Sequence, residues 1–388
     1  MTDVGSALGN LTVLDFSAML PGQTCSMILA DLGARVIGVE RRDGGHYSRR
    51  AGLPGSFESV NRNKQSIALD LRSERGREVA HALAVRADVA LEGFRPGVAA
   101  RLGIGYGELS ELNPRLVYCS ISGYASTSSE RELPGHDPNY LAQAGVLSLA
   151  GDPEGPPSAD VGASMADLAA GWLAAIAVLA ALRERDRSGR GQRIELPIAD
   201  AAFALVQNRF TETLADDSVD KRRLMARPGA GLFETGDGLY LTVGALEDRF
   251  WRGLCALFGA DDLLADVRLQ TTNERRAHGP LLRARLDEEF RKRPRAHWLD
   301  LLRAADIPCA PVHDLREAAD GEYSRERQLF VTLEHPNVSP LRLLKFPGVL
   351  ERTPATIRTP PPLLGEHTAQ ILGELGYNAA EAAELTGD

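Results

Sequence analysis

Leu11-Thr12-Val13-Leu14-Asp15-Phe16 is followed by Pro21-Gly22, by the run Gln23 to Leu32, by Gly33, and by Arg35-Val36-Ile37-Gly38-Val39-Glu40. The first run is short, nearly continuous and apolar, as a strand covered on both faces must be. Pro21-Gly22 breaks the chain, Gln23 to Leu32 reads as a helix, and Gly33 ends it. The last run is a second strand. Strand, helix and strand make a βαβ unit, which demands a parallel pair and a right-handed crossover.

The rhythm continues outward. Ser66 to Leu71 predicts a strand, Glu74 to Ala84 a helix, and Val89 to Leu91 and Leu116 to Ser122 two further strands. Alternation of this kind predicts the α/β class with a doubly wound, Rossmann-like sheet. Glu40 ends the second strand, where dinucleotide folds often keep an acid. No G-x-G-x-x-G follows the first strand, so the shape is expected without NAD.

Farther along, Pro138 to Leu149 predicts a helix and Met165 to Arg185 a long one, ended by Ser188-Gly189-Arg190-Gly191. Arg193 to Leu196 reads as a strand and Ile198 to Ala215 as a helix. Gly231 to Val243 predicts a hairpin turning at Gly236-Asp237-Gly238, with helices after it to Arg303. Asn337 to Pro362 is rich in Pro and reads as a crossing segment without a packed element; His367 to Leu375 is a final amphipathic helix. The expected organisation is a large Rossmann-like domain over 1–200, a linker helix and crossing segment over 201–227, a small α+β domain over 228–312, and a returning segment with the C-terminal helix over 313–388.

Bulk properties narrow the function. A chain of 388 residues, 44% hydrophobic and 25% charged, is that of a soluble globular protein with a large core. A net charge of -9 argues against a nucleic-acid or membrane-surface partner. Any anionic ligand must then be held by local Arg clusters or helix N-termini. Met1 to Asn10 is polar and unlike a signal peptide, and the longest apolar run, Leu168 to Leu182, is shorter than a membrane span, so no membrane insertion is expected. Cys25, Cys119, Cys255 and Cys309 are too dispersed for a zinc knuckle or a redox pair, which fits reduced thiols in a cytoplasmic protein. Neither a metal nor a redox cofactor is expected.

Two segments offer acid–base chemistry. Pro134-Gly135-His136-Asp137-Pro138-Asn139-Tyr140 places an imidazole before a helix, with Asp137 as N-cap and Pro138 at the first helical position. Ser164-Met165-Ala166-Asp167 fits a capping box, with Asp167 in the first turn beside free backbone N–H donors. On spacing alone the capping role is the simpler one for Asp167, and a surface role for His136. Facing each other across a substrate, the two could take a proton from one face of a carbon and return it to the other. Glu247, in Val243-Gly244-Ala245-Leu246-Glu247-Asp248, is either a helix N-terminal acid or a partner for His136. Arg41 and Arg95 follow predicted parallel strands, where open α/β sheets bind ligands, and together suggest a long phosphate-bearing ligand.

These segments stand among others that together resemble the family III CoA-transferases, the CaiB/BaiF superfamily, and within it the α-methylacyl-CoA racemases. The resemblance spans nearly the whole chain. It is carried by Val13-Leu14-Asp15-Phe16, Leu29-Ala30-Asp31-Leu32-Gly33-Ala34, Val39-Glu40-Arg41, Asn61-Arg62-Asn63-Lys64, Leu69-Asp70-Leu71, Phe94-Arg95-Pro96-Gly97, Asn113-Pro114-Arg115-Leu116, Arg187-Ser188-Gly189-Arg190-Gly191-Gln192 and Pro360-Pro361-Pro362-Leu363-Leu364-Gly365-Glu366-His367. Gly135-His136-Asp137 with Asn139-Tyr140, and Gly244-Ala245-Leu246-Glu247, are similar to the racemase signature. The chain departs from that pattern at Gln23, at Gly38, at Ala125 and in a short stretch between Gly151 and Asp160, departures that bear on the substrate's shape more than on the chemistry.

The resemblance implies an interlocked homodimer acting on an acyl-CoA. His136 and Asp167 would be its acid–base pair, with Asp137 and Glu247 tuning and orienting His136 and Glu247 reaching it across the dimer. Arg41 and Arg95 would meet CoA phosphates, and Tyr140 would help order the loop at the ligand. The CoA of the substrate would be the sole cofactor. In the transferases of the family, the residue matching Asp167 is instead a nucleophile.

Overall fold

A computed structural model of the chain describes residues 5–50, 52–159 and 162–386. Met1 to Val4 and Asp160 lie outside them. Two compact units emerge: Met1–Ser148 with Ser158–Gln207 and Arg325–Asp388, and Leu149–Pro157 with Asn208–Ser324.

The first unit holds a six-stranded sheet of β1 (Thr12–Asp15), β2 (Arg35–Glu40), β3 (Lys64–Ala68), β4 (Val89–Glu92), β5 (Val117–Ser122) and β6 (Arg193–Pro197). Its order is β3-β2-β1-β4-β5-β6, and every neighbouring pair is parallel. This is the doubly wound order, with its switch point between β1 and β4. Successive side chains go to opposite faces. Val13, Val36, Val89 and Val117 join a core with Leu29 and Ala30, whereas Leu14, Ile37, Ile67 and Tyr118 join a second with Val79, Leu83 and Ile371. Each large side chain removed from water contributes roughly 1.5–3 kcal/mol, so both faces must be covered.

Local differences from the sequence expectation have plain causes. Pro21-Gly22 does not break the chain: it lies in the first turn of α1 (Leu20–Asp31). Proline is tolerated there because the first helical N–H groups have no intrahelical acceptor. Gly22 is required because an added Cβ would sit 2.3 Å from Ser17 Cβ. The helix expected over Pro138 to Leu149 is two pieces, α2 (Asp137–Gln143) and a turn at Val146–Leu149, parted by Gly145 at φ 73°. Likewise Val206 divides Ile198–Leu205 from Gln207–Ala215. The long helix α3 (Met165–Ser188) begins where expected and runs past the expected Arg185 to Ser188. It is long and apolar enough to cross a membrane, yet half of its most apolar window is buried within the protein, and it packs on α1 and β5.

In the second unit, β7 (Ala230–Glu234), β8 (Tyr240–Gly244) and β9 (Cys309–Pro311) form an antiparallel sheet. Its core stacks Phe233, Phe258, Phe290 and Trp298, with Phe233 and Phe290 centroids 4.6 Å apart.

The chain then returns to the first unit. β10 (Phe330–Leu333) pairs antiparallel with β11 (Leu341–Leu344), so the Pro-rich stretch does contain a packed element: Leu341 and Leu343 are buried while Arg342 and Leu344 face out. Gly365 to Thr368 covers the exposed edge of β3. Gly365 N–H donates to Ser66 Oγ, His367 N–H to the Ser66 carbonyl, and Ala68 N–H to Thr368 Oγ1. An otherwise unpaired sheet edge is thereby closed.

Asn61-Arg62-Asn63-Lys64 fastens this return. Arg62 forks onto buried Asp31, at 2.6 Å from Nη2 to Oδ2. Asn63 Nδ2 donates to Asp31 and to the Thr356 carbonyl, and its Oδ1 accepts the N–H groups of Arg358 and Thr359. Lys64 runs inward to the Gln23 carbonyl, Asn61 Oδ1 and, at 3.6 Å, Asp15.

Candidate active site

Two helix N-termini meet beneath Tyr140. His136, in extended backbone, is the N-cap of α2, and its N–H donates to Asn139 Oδ1 at 2.9 Å. Asp137 is therefore the first helical residue and not the cap expected from sequence. Its buried carboxylate accepts the backbone N–H of Asp167 at 3.0 Å. Ser164 is the N-cap of α3, but its hydroxyl makes no cap hydrogen bond. The predicted Ser164–Asp167 capping box does not form, and Asp137 satisfies that N–H instead.

The first-turn donors of α3 are more fully used than expected. Met165 N–H goes to the Ala163 carbonyl, Leu168 N–H to the Ser164 carbonyl, and Asp167 N–H to Asp137. Among the described residues, the Asp137 N–H at the mouth of α2 donates to no protein acceptor.

Asp167 is half-buried at this junction. Burial, then the neighbouring Asp137 charge, push its pKa up to about 6, with His136 opposing. A carboxyl in that range can hold or release a proton near neutrality. Tyr140 lies edge-on to Tyr124, 5.4 Å between ring centroids. Its phenol is pushed up to about 12 by burial, then by the Asp167 charge, with Arg95 opposing. Gly123 and Gly135 have no side chains because Tyr140 fills the space: a Cβ at Gly123 would meet its hydroxyl at 2.5 Å and one at Gly135 its ring at 2.8 Å. The structure thus gathers His136, Asp137, Asp167 and Tyr140, with the charge of Arg95 felt at the same phenol.

Arg41 belongs elsewhere. A cavity of about 850 Å³ opens at the carboxyl ends of β1 to β4, lined by Phe16, Arg41, His46, Arg72, Phe94 and Gly365 among others. Arg42, Asp43 and Asp70 stand on its rim as well. Arg95 is not among its lining residues, although its neighbour Phe94 is. Glu40 lines the cavity with its oxygens already engaged: Arg49 forks onto it at 2.7 Å from each of Nε and Nη2, Ser66 Oγ donates at 2.7 Å, and the His46 N–H at 3.1 Å. These partners and the positive charges outweigh burial and hold its carboxyl below the ordinary range. Beneath, burial pushes the Lys64 ammonium down to about 8, with Asp15 opposing. Among the described residues, no cluster of three or more His, Cys, Asp or Glu side chains is arranged to hold a metal.

Glu247 lies in the second unit. It is the exposed N-cap of the helix Asp248–Phe258, and its side chain makes no cap hydrogen bond. The next residue, Asp248, is held by buried Arg275 at 2.5 Å.

The pattern for CoA-transferase family III matches residues 8–368. The chain belongs to that family. It is 33% identical over 395 residues to human alpha-methylacyl-CoA racemase, covering 98% of this chain and 97% of that one. It is also 33% identical over 329 residues to acetyl-CoA:oxalate CoA-transferase of Acetobacter aceti, covering 83% of this chain and 84% of that one. Among solved structures, a CAIB/BAIF family protein from Brucella suis superposes with a TM-score of 0.84 at 29% identity, over 95% of this chain and 99% of that one.

Several residues of this family III chain escape a functional reading of its sequence. Arg72 and His46 line the cavity but sit in loops with no local signature. Asp15 and Lys64 form a buried ion pair that becomes visible only when β1 and β3 are brought within two strands of each other.

Proposed function

We propose that this enzyme is a racemase or epimerase of 2-methyl-branched acyl-CoA thioesters, working by 1,1-proton transfer. The observation that supports it best is the half-buried Asp167, with a pKa of about 6, at the junction with His136 and Asp137. A thioester acidifies its α-proton. Asp167 or His136, according to the hand of the substrate, takes that proton, and the C–H electron pair moves onto the thioester carbonyl to give an enolate. The other residue returns a proton to the opposite face. The Asp137 N–H, lacking a protein acceptor at a helix N-terminus, is the donor for the enolate oxygen. The nucleotide end of CoA would lie in the cavity of Arg41, Arg42 and Arg72, with Arg95 nearer the acyl end beside Tyr140. An interlocked cytoplasmic homodimer would bring Glu247 of one subunit to His136 of the other.

The test is incubation of (2R)- and (2S)-2-methylacyl-CoA in D2O without an acceptor acid. Deuterium at C2 with loss of stereochemical purity supports the reading. His136→Ala should then impair exchange of one epimer more than the other; equal activity on both epimers would sink the two-base assignment. The second reading, CoA transfer between carboxylic acids with Asp167 as nucleophile, is favoured by the likeness to the Acetobacter aceti transferase. It requires no C2 exchange, and hydroxylamine trapping of an Asp167 thioester only when acyl-CoA is present.

A further inference from the structure

His46 stands apart from the acid–base group, in the wall of the cavity over β1 to β4. Its place is fixed. The backbone N–H is held by Glu40, and the ring stacks on Phe57 at 6.1 Å between centroids, with the Arg49 guanidinium 3.5 Å from the centroid of the same Phe57 ring. The residue is 6% exposed, yet among the described residues neither ring nitrogen has a hydrogen-bond partner. Glu40 lies 3.9 Å from Nε2, and its oxygens are already engaged by Arg49 and Ser66. A built, buried imidazole with an uncommitted edge, in a cavity also lined by Arg41, Arg42 and Arg72, suits an anionic oxygen of a ligand.

We propose that His46 binds a phosphate group of the nucleotide end of a CoA thioester, and that binding brings one proton from solvent onto its ring. This rests on the reading of the cavity as the CoA nucleotide site. The charged groups facing His46 are Glu40 on β2, Asp15 on β1, Lys64 on β3 and Arg49 on its own turn; Arg41, Arg42 and Arg72 with Asp43 and Asp70 lie on the rim. Burial is the largest influence and holds the free imidazole below its ordinary pKa, against Glu40 and Asp15. Burial thus favours the neutral ring in the unliganded protein. A phosphate dianion at its edge reverses the balance and favours the imidazolium. Between the free and the bound pKa, affinity must weaken as pH rises, by up to about tenfold per pH unit.

The experiment is calorimetric titration of the full chain with coenzyme A, at matched pH in buffers of different ionisation enthalpy, for the wild type and His46→Asn. The wild type should take up about one proton more than the variant near pH 7.5. Its Kd should weaken from pH 6.5 to 8.5, while the variant stays flatter and roughly tenfold weaker at pH 7. Equal uptake by both proteins overturns the assignment. Wild-type binding without any pH dependence in Kd overturns it as well, and needs no variant to fold. No binding of coenzyme A by the wild type overturns the underlying reading of the cavity, a failure distinct from that of His46.

Discussion

The carboxylate of Asp137 caps the helix that carries Asp167, at 3.0 Å from the Asp167 backbone N–H. It also raises the pKa of the Asp167 side chain, as the second influence after burial. One residue therefore sets both the position and the proton affinity of the proposed acid–base group. Substitutions separate the two effects. Asp137→Asn keeps an acceptor but drops the charge, so the acid limb of the exchange-rate profile should move to lower pH with little change in Tm. Asp137→Ala should shift the limb likewise and also lose about 1 kcal/mol of stability. An acid limb unmoved in both variants, read from exchange rates between pH 4.5 and 8, counts against Asp167 as the titrating group.

Asp167 costs stability when it is ionised. Its ordinary pKa of 3.8 is raised to about 6 in the folded state. Below pH 3.8 both states are protonated and the group has no net effect. As pH rises through 3.8 to 6 the unfolded chain ionises first, and folding is penalised by an amount that levels off above pH 6. Removing the charge with Asp167→Asn should therefore raise stability at pH 7.5 by on the order of 1–3 kcal/mol. The gain should vanish near pH 4. Denaturant midpoints at the two pH values measure it, and an equal shift at both would assign the effect to packing.

The parallel sheet was legible because its signal is local: Val13-Leu14 and Val36-Ile37 can be read as two-faced strands without knowing their neighbours. His136 and Asp167 were legible as residues at helix mouths, and their proximity was only an expectation. The capping pattern misled. Ser164-x-x-Asp167 satisfies the spacing of a box, yet the N–H it should hold is taken by Asp137, from thirty residues earlier in the chain. Short loops also hid residues whose role depends on distant partners. Asn63 has no local reason to be buried until Asp31 and Thr356 to Thr359 arrive around it.

That arrangement makes Asn63 a sensitive position. It has φ 62°, in the left-handed region, and its side chain serves Asp31, Thr356, Arg358 and Thr359. Asn63→Gly keeps the backbone relaxed but leaves those buried groups unpaired, at about 2–4 kcal/mol. Asn63→Ala adds backbone strain of about 1 kcal/mol. Protection of the amides of residues 356–359 from hydrogen exchange should fall in both, and Ala should have the lower Tm. If Gly and Ala are equally stable, the left-handed backbone contributes nothing.

Gly171 offers a direct way to move Asp167 without touching it. It lies one turn along α3, against the start of α1, and an added Cβ would stand 2.7 Å from the Pro21 carbonyl oxygen and 2.8 Å from Thr24 Cβ. The carbonyl is backbone and cannot swing aside, so Gly171→Ala must push the helices apart by part of an ångström. Overpacking of this kind destabilises by about 1–3 kcal/mol. The same displacement is transmitted up one turn to Asp167, whose alignment with the α-carbon would govern the proposed proton transfer. Exchange at C2 should fall roughly tenfold or more, whereas the Kd for coenzyme A, proposed to bind in the Arg41 cavity, should hold. Loss of coenzyme A affinity in step with exchange would mean that α1 shifts as a whole. Retention of both would mean that the helix contact relaxes without moving Asp167.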